Sequence, residues 1–339
     1  MLFRSQMRIT TNMLMRNYQN SLSKSIGGLS DSRNAVLTGR RFTKASEDPS
    51  GALSASSLER KYVRNKSYLT TIKEVQSRQD AQEDAVMQMN KICQTIDRDY
   101  SVSAMSGTNM EQSIRKTYAT AMRELQNSMV SSLNAQYGEE FVFGGAMGMK
   151  VPFELKEDGT LTYQGIDVNS TDPADQAKLK ELSKESTFVD IGFGLSFETD
   201  ASGKKSVVSS SAFDTSLPGI NVIGYGDKNL ITTIGKMADL LEAETFDKDA
   251  YSALWTDFRE GATALTDVST KLGTKTTLLE STQTRLTDLD LALSTQIDSI
   301  VNVDPAEALM NYSWANYTYT TALKVGTNII SASLLDFIS

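Results

Sequence analysis

Histidine is absent from the 339 residues and cysteine occurs once. The first absence removes the usual general base near neutral pH and the commonest zinc ligand. A single thiol excludes an intramolecular disulfide. No stretch approaches the roughly eighteen apolar residues that a membrane-spanning helix needs, so a helical integral membrane protein is excluded. Basic charge is also in deficit: 34 Lys and Arg stand against 42 Asp and Glu, a net charge of −8 with a pI near 4.9. That balance argues against a nucleic-acid partner. The opening Met1-Leu-Phe-Arg-Ser-Gln has no apolar core of a signal peptide, so Sec-type export is not expected. These absences leave a cytoplasmic helical protein of two or three domains as the default.

What is present is a seven-residue rhythm. Leu272, Leu279, Leu286, Leu293 and Ile300 recur at every seventh position. Two turns of about 3.5 residues return to the same face, so this recurrence draws one narrow stripe along a helix. A second seam is partly filled by Leu289 and Ile297, with Thr276 and Gln283 where leucines would serve better. Asp304-Pro-Ala-Glu307 resets the pattern, with an N-cap, a first-turn proline and a capping-box carboxylate. Behind it, Leu309, Tyr312, Asn316, Tyr319, Leu323, Gly326 and Ile330 are spaced by three and four, and the chain ends on Leu334-Leu335-Asp-Phe337-Ile. Ordering a backbone costs about 1–2 kcal/mol per residue, so a lone helix of this kind needs a partner surface.

The front of the chain repeats the rhythm with Met15, Leu22, Leu29 and Val36, helped by Tyr18 and Ile26 and weakened by Gly27-Gly28. Thr38 to Gly51 reads as a turn. A long helix is expected from about Ala52 to Ser103, striped by Leu58, Tyr62, Leu69, Ile72, Val86, Met89, Cys93, Ile96 and Tyr100. Thr108 and Glu111 form a capping box for another helix, with Ile114, Tyr118, Met122, Leu125, Met129 and Leu133 inward. From Tyr137 the texture turns to short strands at Phe141–Gly145, Phe188–Ile191, Leu195–Phe197 and Ile220–Ile223. Asp158-Gly159 marks a hairpin between Phe153–Leu155 and Leu161–Tyr163. Leu230–Leu241 is a short helix, and long-helix texture returns from about Lys248.

The expected fold is therefore mainly α: a long helical bundle or coiled-coil rod built by the N- and C-terminal segments, with an inserted β-rich (α+β) outer domain. Its parts are 7–45 with 305–339 as axial terminal helices, 46–140 with 248–304 as a helical rod, and 141–247 as the outer domain.

No enzyme constellation survives inspection. Gly224-Tyr-Gly226 has Asn229 where a dinucleotide fingerprint needs its third glycine, so it reads as a turn. Cys93 lies on an inward stripe and reads as a small hydrophobe. Met87, Met89, Met105, Met110, Met122 and Met129 read as packing rather than soft-metal ligands. Asp84, Asp97 and Asp99 read as a solvated helix face. Asn311 and Asn316 match a glycosylation acceptor by chance, inside a helix. Catalytic, cofactor and metal residues are thus expected to be absent. Arg40, Arg41 and Lys44 form the one concentrated basic patch, either a solvated turn or an inter-subunit ion-pair site.

Four stretches carry a resemblance: Met7-Arg-Ile-Thr-Thr-Asn-Met, Thr38-Gly-Arg-Arg-Phe-Thr-Lys-Ala-Ser-Glu-Asp-Pro-Ser-Gly, Tyr137-Gly-Glu-Glu-Phe-Val-Phe-Gly-Gly and Asn328-Ile-Ile-Ser-Ala-Ser-Leu-Leu-Asp-Phe. They resemble the flagellin superfamily, and within it the hook-associated proteins of the hook–filament junction. Members normally begin at the position of Met7, so Met1–Gln6 depart from the pattern. The resemblance implies a structural adaptor exported through the flagellar type III channel without a cleaved signal. It implies an extracellular place as a ring of identical subunits between the first hook-associated protein and flagellin, with an export chaperone as a further partner and no nucleic acid or membrane. The terminal helices would then pair as an axial coiled coil that folds on assembly. Its assembly interface would comprise Met15, Leu22, Leu29, Val36, Arg40, Arg41, Leu309, Tyr312, Tyr319, Leu323, Ile330, Leu334, Leu335 and Phe337. Filament flagellin, distinguished by polymerising alone, and a nucleotide-binding module within 140–245 are the competing readings.

Overall fold

The computed structural model describes residues 11–106, 111–199, 203 and 205–338, with side chains from 13 to 328. Thr108, half of the expected capping box, and Met1–Gln6 lie outside the described residues. The order is α1 (Thr11–Thr38), α2 (Pro49–Thr95), a π-helical segment (Ile96–Ser101), α3 (Val102–Ser106) and α4 (Gln112–Leu133). The insertion follows with β1 (Gln136–Tyr137), β2 (Glu140–Phe141), β3 (Phe153–Leu155), β4 (Leu161–Tyr163), β5 (Ile166–Asp167), α5 (Pro173–Leu182), β6 (Phe188–Val189), β7 (Phe197–Thr199), β8 (Lys205–Val207) and β9 (Phe213–Asp214). It closes with α6 (Ile220–Ile223) and α7 (Leu230–Glu242), before α8 (Lys248–Val301) and α9 (Pro305–Ile338). The protein is mainly α with a β-rich insertion. Two compact units divide it: residues 65–287, and the two ends 1–64 with 288–339.

In the 65–287 unit, the α8 rhythm reaches further back than the leucines. Tyr251, Phe258, Leu265, Leu272, Leu279 and Leu286 are all buried at seven-residue intervals. The same helix continues the series with buried Leu293. On α2 the matching seams are Asn65-Ile72-Gln79-Val86-Cys93 and Val75-Gln82-Met89, the latter continued by Ile96 of the π-helical segment, all buried. Three of those positions are polar, which hid them from an apolar count. The amide nitrogen of each reaches a carbonyl: Asn65 Nδ2 donates to that of Leu286 at 2.8 Å, Gln79 Nε2 to that of Leu272 at 2.8 Å, and Gln82 Nε2 to that of Val142 at 3.0 Å. The expected second seam differs as well. Thr282 is buried in place of Gln283, and Leu289 points out.

The start of α2 comes earlier than Ala52. Asp48 caps it, its Oδ1 accepting the Gly51 N–H at 2.9 Å, and Pro49 takes the first helical position. On α4, Met122, Met129 and Leu133 are buried and Tyr118 and Leu125 half-buried as expected, but Ile114 is exposed and Arg115 is buried instead. The guanidinium of Arg115 donates to the carbonyls of Ala243 and Glu244, both at 3.2 Å, just past the end of α7. α4 and α7 pack together, and Gln126 Nε2 donates to the Ile231 carbonyl at 2.9 Å.

The sheets are small and antiparallel. The Asp158-Gly159 hairpin forms as expected, pairing Phe153 with Tyr163 and Leu155 with Leu161 around Gly159 at φ +80°. Phe141–Gly145 is a strand only to Phe141; the chain then turns, burying Val142 and Phe143. Ile220–Ile223 is a helical turn rather than a strand. Gly224, at φ +77°, ends it, and Ile220, Val222 and Ile223 all reach the core, which overrides the β preference of the run. The helix α5 was not foreseen, although Asp172, accepting from Ala174 N, and Pro173 are a recognisable start.

Candidate assembly interface

The two chain ends pair as α1 and α9. On α1 the half-buried positions are Met15, Tyr18, Leu22, Ser25, Leu29, Ser32 and Val36, alternating by three and four, with Ala35 beside the last. The expected residues Met15, Leu22, Leu29 and Val36 therefore share one face. On α9 the covered positions are Ala308, Tyr312, Ala315, Tyr319, Ala322 and Gly326. Tyr18 rests on Gly326: a Cβ added there would collide with the tyrosine ring and hydroxyl. Close approach needs small residues on one side, and alternating Ala and Gly with Tyr supplies a hole for each large side chain.

This face lies one residue from the stripe expected for α9. Tyr312, Tyr319 and Gly326 hold their places, but Ala308, Ala315 and Ala322 stand where Leu309, Asn316 and Leu323 were expected. Leu309 and Leu323 are 54% and 41% exposed. They join Met310, Trp314, Tyr317 and Val325 as exposed apolar side chains of α9, and α1 adds Met13, Leu14, Ile26 and Leu37. An open groove of about 530 Å³ runs between the helices, lined by Leu14, Tyr18, Tyr317, Ala322 and Val325 among others. Ile330, Leu334, Leu335 and Phe337 lie on α9 with side chains outside the described residues.

The helix breaks at 39–48 and 302–304 stand side by side. Arg41 N donates to the Val301 carbonyl at 2.7 Å, Val303 N donates to the Gly39 carbonyl at 3.0 Å, and Arg40 bridges Asn302. Thr43 N and Lys44 N both donate to Glu47 Oε2, at 2.7 and 3.2 Å, and these bonds hold the Glu47 carboxyl below its ordinary pKa. The arginine side chains stay exposed. At 304, Asp304 Oδ1 accepts the Ala306 N–H at 2.7 Å and caps α9. The expected return bond from Glu307 is not made, and Glu307 is exposed.

The other sequence candidates resolve locally. Asn229 caps α7, its side chain accepting the Thr232 N–H at 2.9 Å, and Gly226 N donates to the Val168 carbonyl. The glycines around Tyr225 therefore form a turn at that cap. Burial, with the Asp97 charge, pushes the Cys93 thiol up to about 12, so it packs without nucleophilic character. Met87 is exposed, whereas Met89, Met122 and Met129 fill the core. Asp97 is paired with Arg259 at 2.7 Å and accepts from the Trp255 indole at 2.7 Å. Among the described residues no group of three His, Cys, Asp or Glu is placed to hold a metal ion, and no helix is long and apolar enough to cross a membrane.

The two ends of the chain pair as long helices, and an α+β insertion lies between them in sequence. Residues 9–147 match the family model described as the bacterial flagellin N-terminal helical region. The fold is similar to that of a chain from Vibrio parahaemolyticus assigned as a flagellar hook-associated protein. The two are 17% identical at a TM-score of 0.56, over 76% of this chain and 100% of that one. It is also similar to FlgL of Bacillus cereus, 16% identical at a TM-score of 0.50, over 71% of this chain and 99% of that one. No curated protein sequence matches the chain. The flagellin resemblance read from the sequence is borne out by the family model and by the fold.

Proposed function

We propose that this protein is a structural adaptor subunit of the bacterial flagellum, joining the hook to the flagellin filament at the hook–filament junction. The observation that carries the reading is the pairing of α1 with α9 on a chain whose front matches flagellin and whose fold matches hook-associated proteins. The exposed apolar side chains of α1 and α9 are surface that a monomer leaves in water, where each buried leucine-sized group would gain roughly 1.5–3 kcal/mol from cover. Cover comes from copies of the same chain in a ring, from the first hook-associated protein on one side and from flagellin on the other. The working division is 7–45 with 305–339 as the assembly domain, 46–140 with 248–304 as the helical domain and 141–247 as the outer domain. The subunit acts outside the cell, reaches its place through the type III channel without a cleaved signal, and is escorted by an export chaperone. Its role is non-enzymatic.

Electron microscopy of a strain lacking the gene tests this. Hooks without filaments, with flagellin released to the medium and filaments restored by the intact gene, are expected. Filaments of normal length on the deletion strain would overturn it. The flagellin N-terminal match also favours a second reading, a filament flagellin, which requires the purified chain to grow long filaments by itself.

A further inference from the structure

Charge is segregated between the two halves of the terminal unit. Residues 11–64 hold nine Lys and Arg against four Asp and Glu, whereas residues 288–328 hold one Lys against five Asp and Glu. This polarity is hidden in a chain whose total is merely acidic. Arg16, Lys24, Arg33, Arg40, Arg41 and Lys44 are all exposed, as are Asp288, Asp298, Asp304 and Glu307. The ion pairs identified in the protein involve none of these residues. Two of the basic residues act on carboxylates of their own turn: after backbone N–H bonds, the Lys44 charge helps to hold Glu47, and the Arg41 charge Asp48, below the ordinary carboxylate range. The α1–α9 seam is uncharged, made of Met, Leu, Val, Ser, Tyr, Ala and Gly. Arg16, Lys24, Arg33, Arg40, Arg41 and Lys44 therefore sit on the same unit as Asp288, Asp298, Asp304 and Glu307 with no ion pair identified between the two sets.

We propose that the basic surface of α1 and the 39–44 turn receives the acidic surface at the end of α8 and the start of α9 of a second copy of this chain. The proposal rests on the assembly of identical copies set out above, and it adds which surfaces meet and in what sense. Complementary charge lets each copy offer its basic surface to the acidic surface of another. Each exposed pair is weak, and the contact sets orientation and encounter rate more than depth of binding. The adjoining exposed apolar residues of α1 and α9 supply the rest.

The test uses the full-length chain, with sedimentation velocity at low and high ionic strength. One variant reverses the basic side (Arg33→Glu, Arg40→Glu, Arg41→Glu) and another the acidic side (Asp288→Lys, Asp298→Lys, Glu307→Lys). Wild type is expected to associate, and about tenfold more weakly at high salt. Each variant alone is expected to lose association at least tenfold, and an equimolar mixture of the two is expected to recover it. Recovery on mixing requires contacts between copies, since an attraction within one chain would not be restored. Variants that associate as wild type does, or a mixture that stays monomeric, would overturn the inference while leaving self-assembly intact. A wild-type chain that stays monomeric at every salt concentration would overturn both. Should circular dichroism show reversal to unfold the helices, the Arg33→Gln, Arg40→Gln, Arg41→Gln chain carries the same test: it is expected to lose salt dependence, and unchanged salt dependence would overturn the inference.

Discussion

Arg115 illustrates how a single residue can organise a junction that no hydrophobic count reveals. It is 5% exposed, donates to two carbonyls beyond α7 and lies 5.5 Å from the centre of the Phe246 ring. Arg115→Met keeps much of the bulk but removes charge-assisted bonds worth about 1.5–3 kcal/mol each in buried settings. The substitution is expected to lower the stability of the 65–287 unit by about 2–3 kcal/mol. Urea unfolding measures it, and an unchanged midpoint would mean that the two carbonyls find water instead. Asp97 offers a pH test. Burial pushes its carboxyl up, but the bonds from Arg259 and Trp255 and the Arg259 charge outweigh that and hold it below 3.8. A depressed folded value stabilises the fold above 3.8, and that stabilisation is lost as pH falls through the lower folded value. Asp97→Asn is therefore expected to reduce stability at neutral pH and to flatten the acid limb. A parallel pH profile for mutant and wild type would remove the pair from the account.

At the scale of elements, the α2–α8 seam mixes leucines with amides. Asn65 and Gln79 donate to carbonyls of α8 that already belong to a helix, so the bonds add little net stability but hold for one alignment of the two helices. An amide in a heptad seam selects register at some cost in stability. Asn65→Leu combined with Gln79→Leu is expected to raise the unfolding midpoint slightly while broadening amide NMR signals along both helices. A loss of more than about 2 kcal/mol would instead make these bonds net stabilisers. Leu279→Ala, in the centre of the same seam, is expected to cost about 2–5 kcal/mol.

At the scale of the molecule, the two units differ in how much they bury. Among the apolar residues of 13–64 and 288–328, only Ala55, Leu293 and Ala308 are buried, whereas the 65–287 unit buries side chains along its whole length. Few buried contacts mean low local stability. Limited proteolysis of the free chain is expected to trim the ends before it cuts the 65–287 unit, and equal resistance throughout would refute this. Leu323→Asp and Tyr319→Asp then separate the two faces of α9. The exposed Leu323 position is expected to tolerate Asp in the free chain and to lose assembly, because a charge buried in a packed contact costs several kcal/mol. Tyr319→Asp is expected to part α1 from α9 in the monomer as well, read as lost helicity. A motile Leu323→Asp strain would remove that face from the interface.

The sequence by itself determined the alternation of long helices with a β-rich middle, the Leu272–Leu293 stripe and the Asp158-Gly159 hairpin, because each depends on local period or local backbone preference. It determined also that this chain has no histidine and no second cysteine for an intramolecular disulfide. The tertiary structure decided which of two neighbouring rows of α9 turns toward α1. Rows through Leu309 and Leu323 and through Ala308 and Ala322 obey the same helical period, and apolar weight favours the leucines. Steric fit chose the alanines, since Tyr18 needs the space above Gly326, and left the leucines outward. The buried Asn65, Gln79, Gln82 and Arg115 were invisible for a related reason: a polar side chain is stable inside only when a particular carbonyl from a distant part of the chain stands within about 3 Å, and no local pattern supplies that carbonyl.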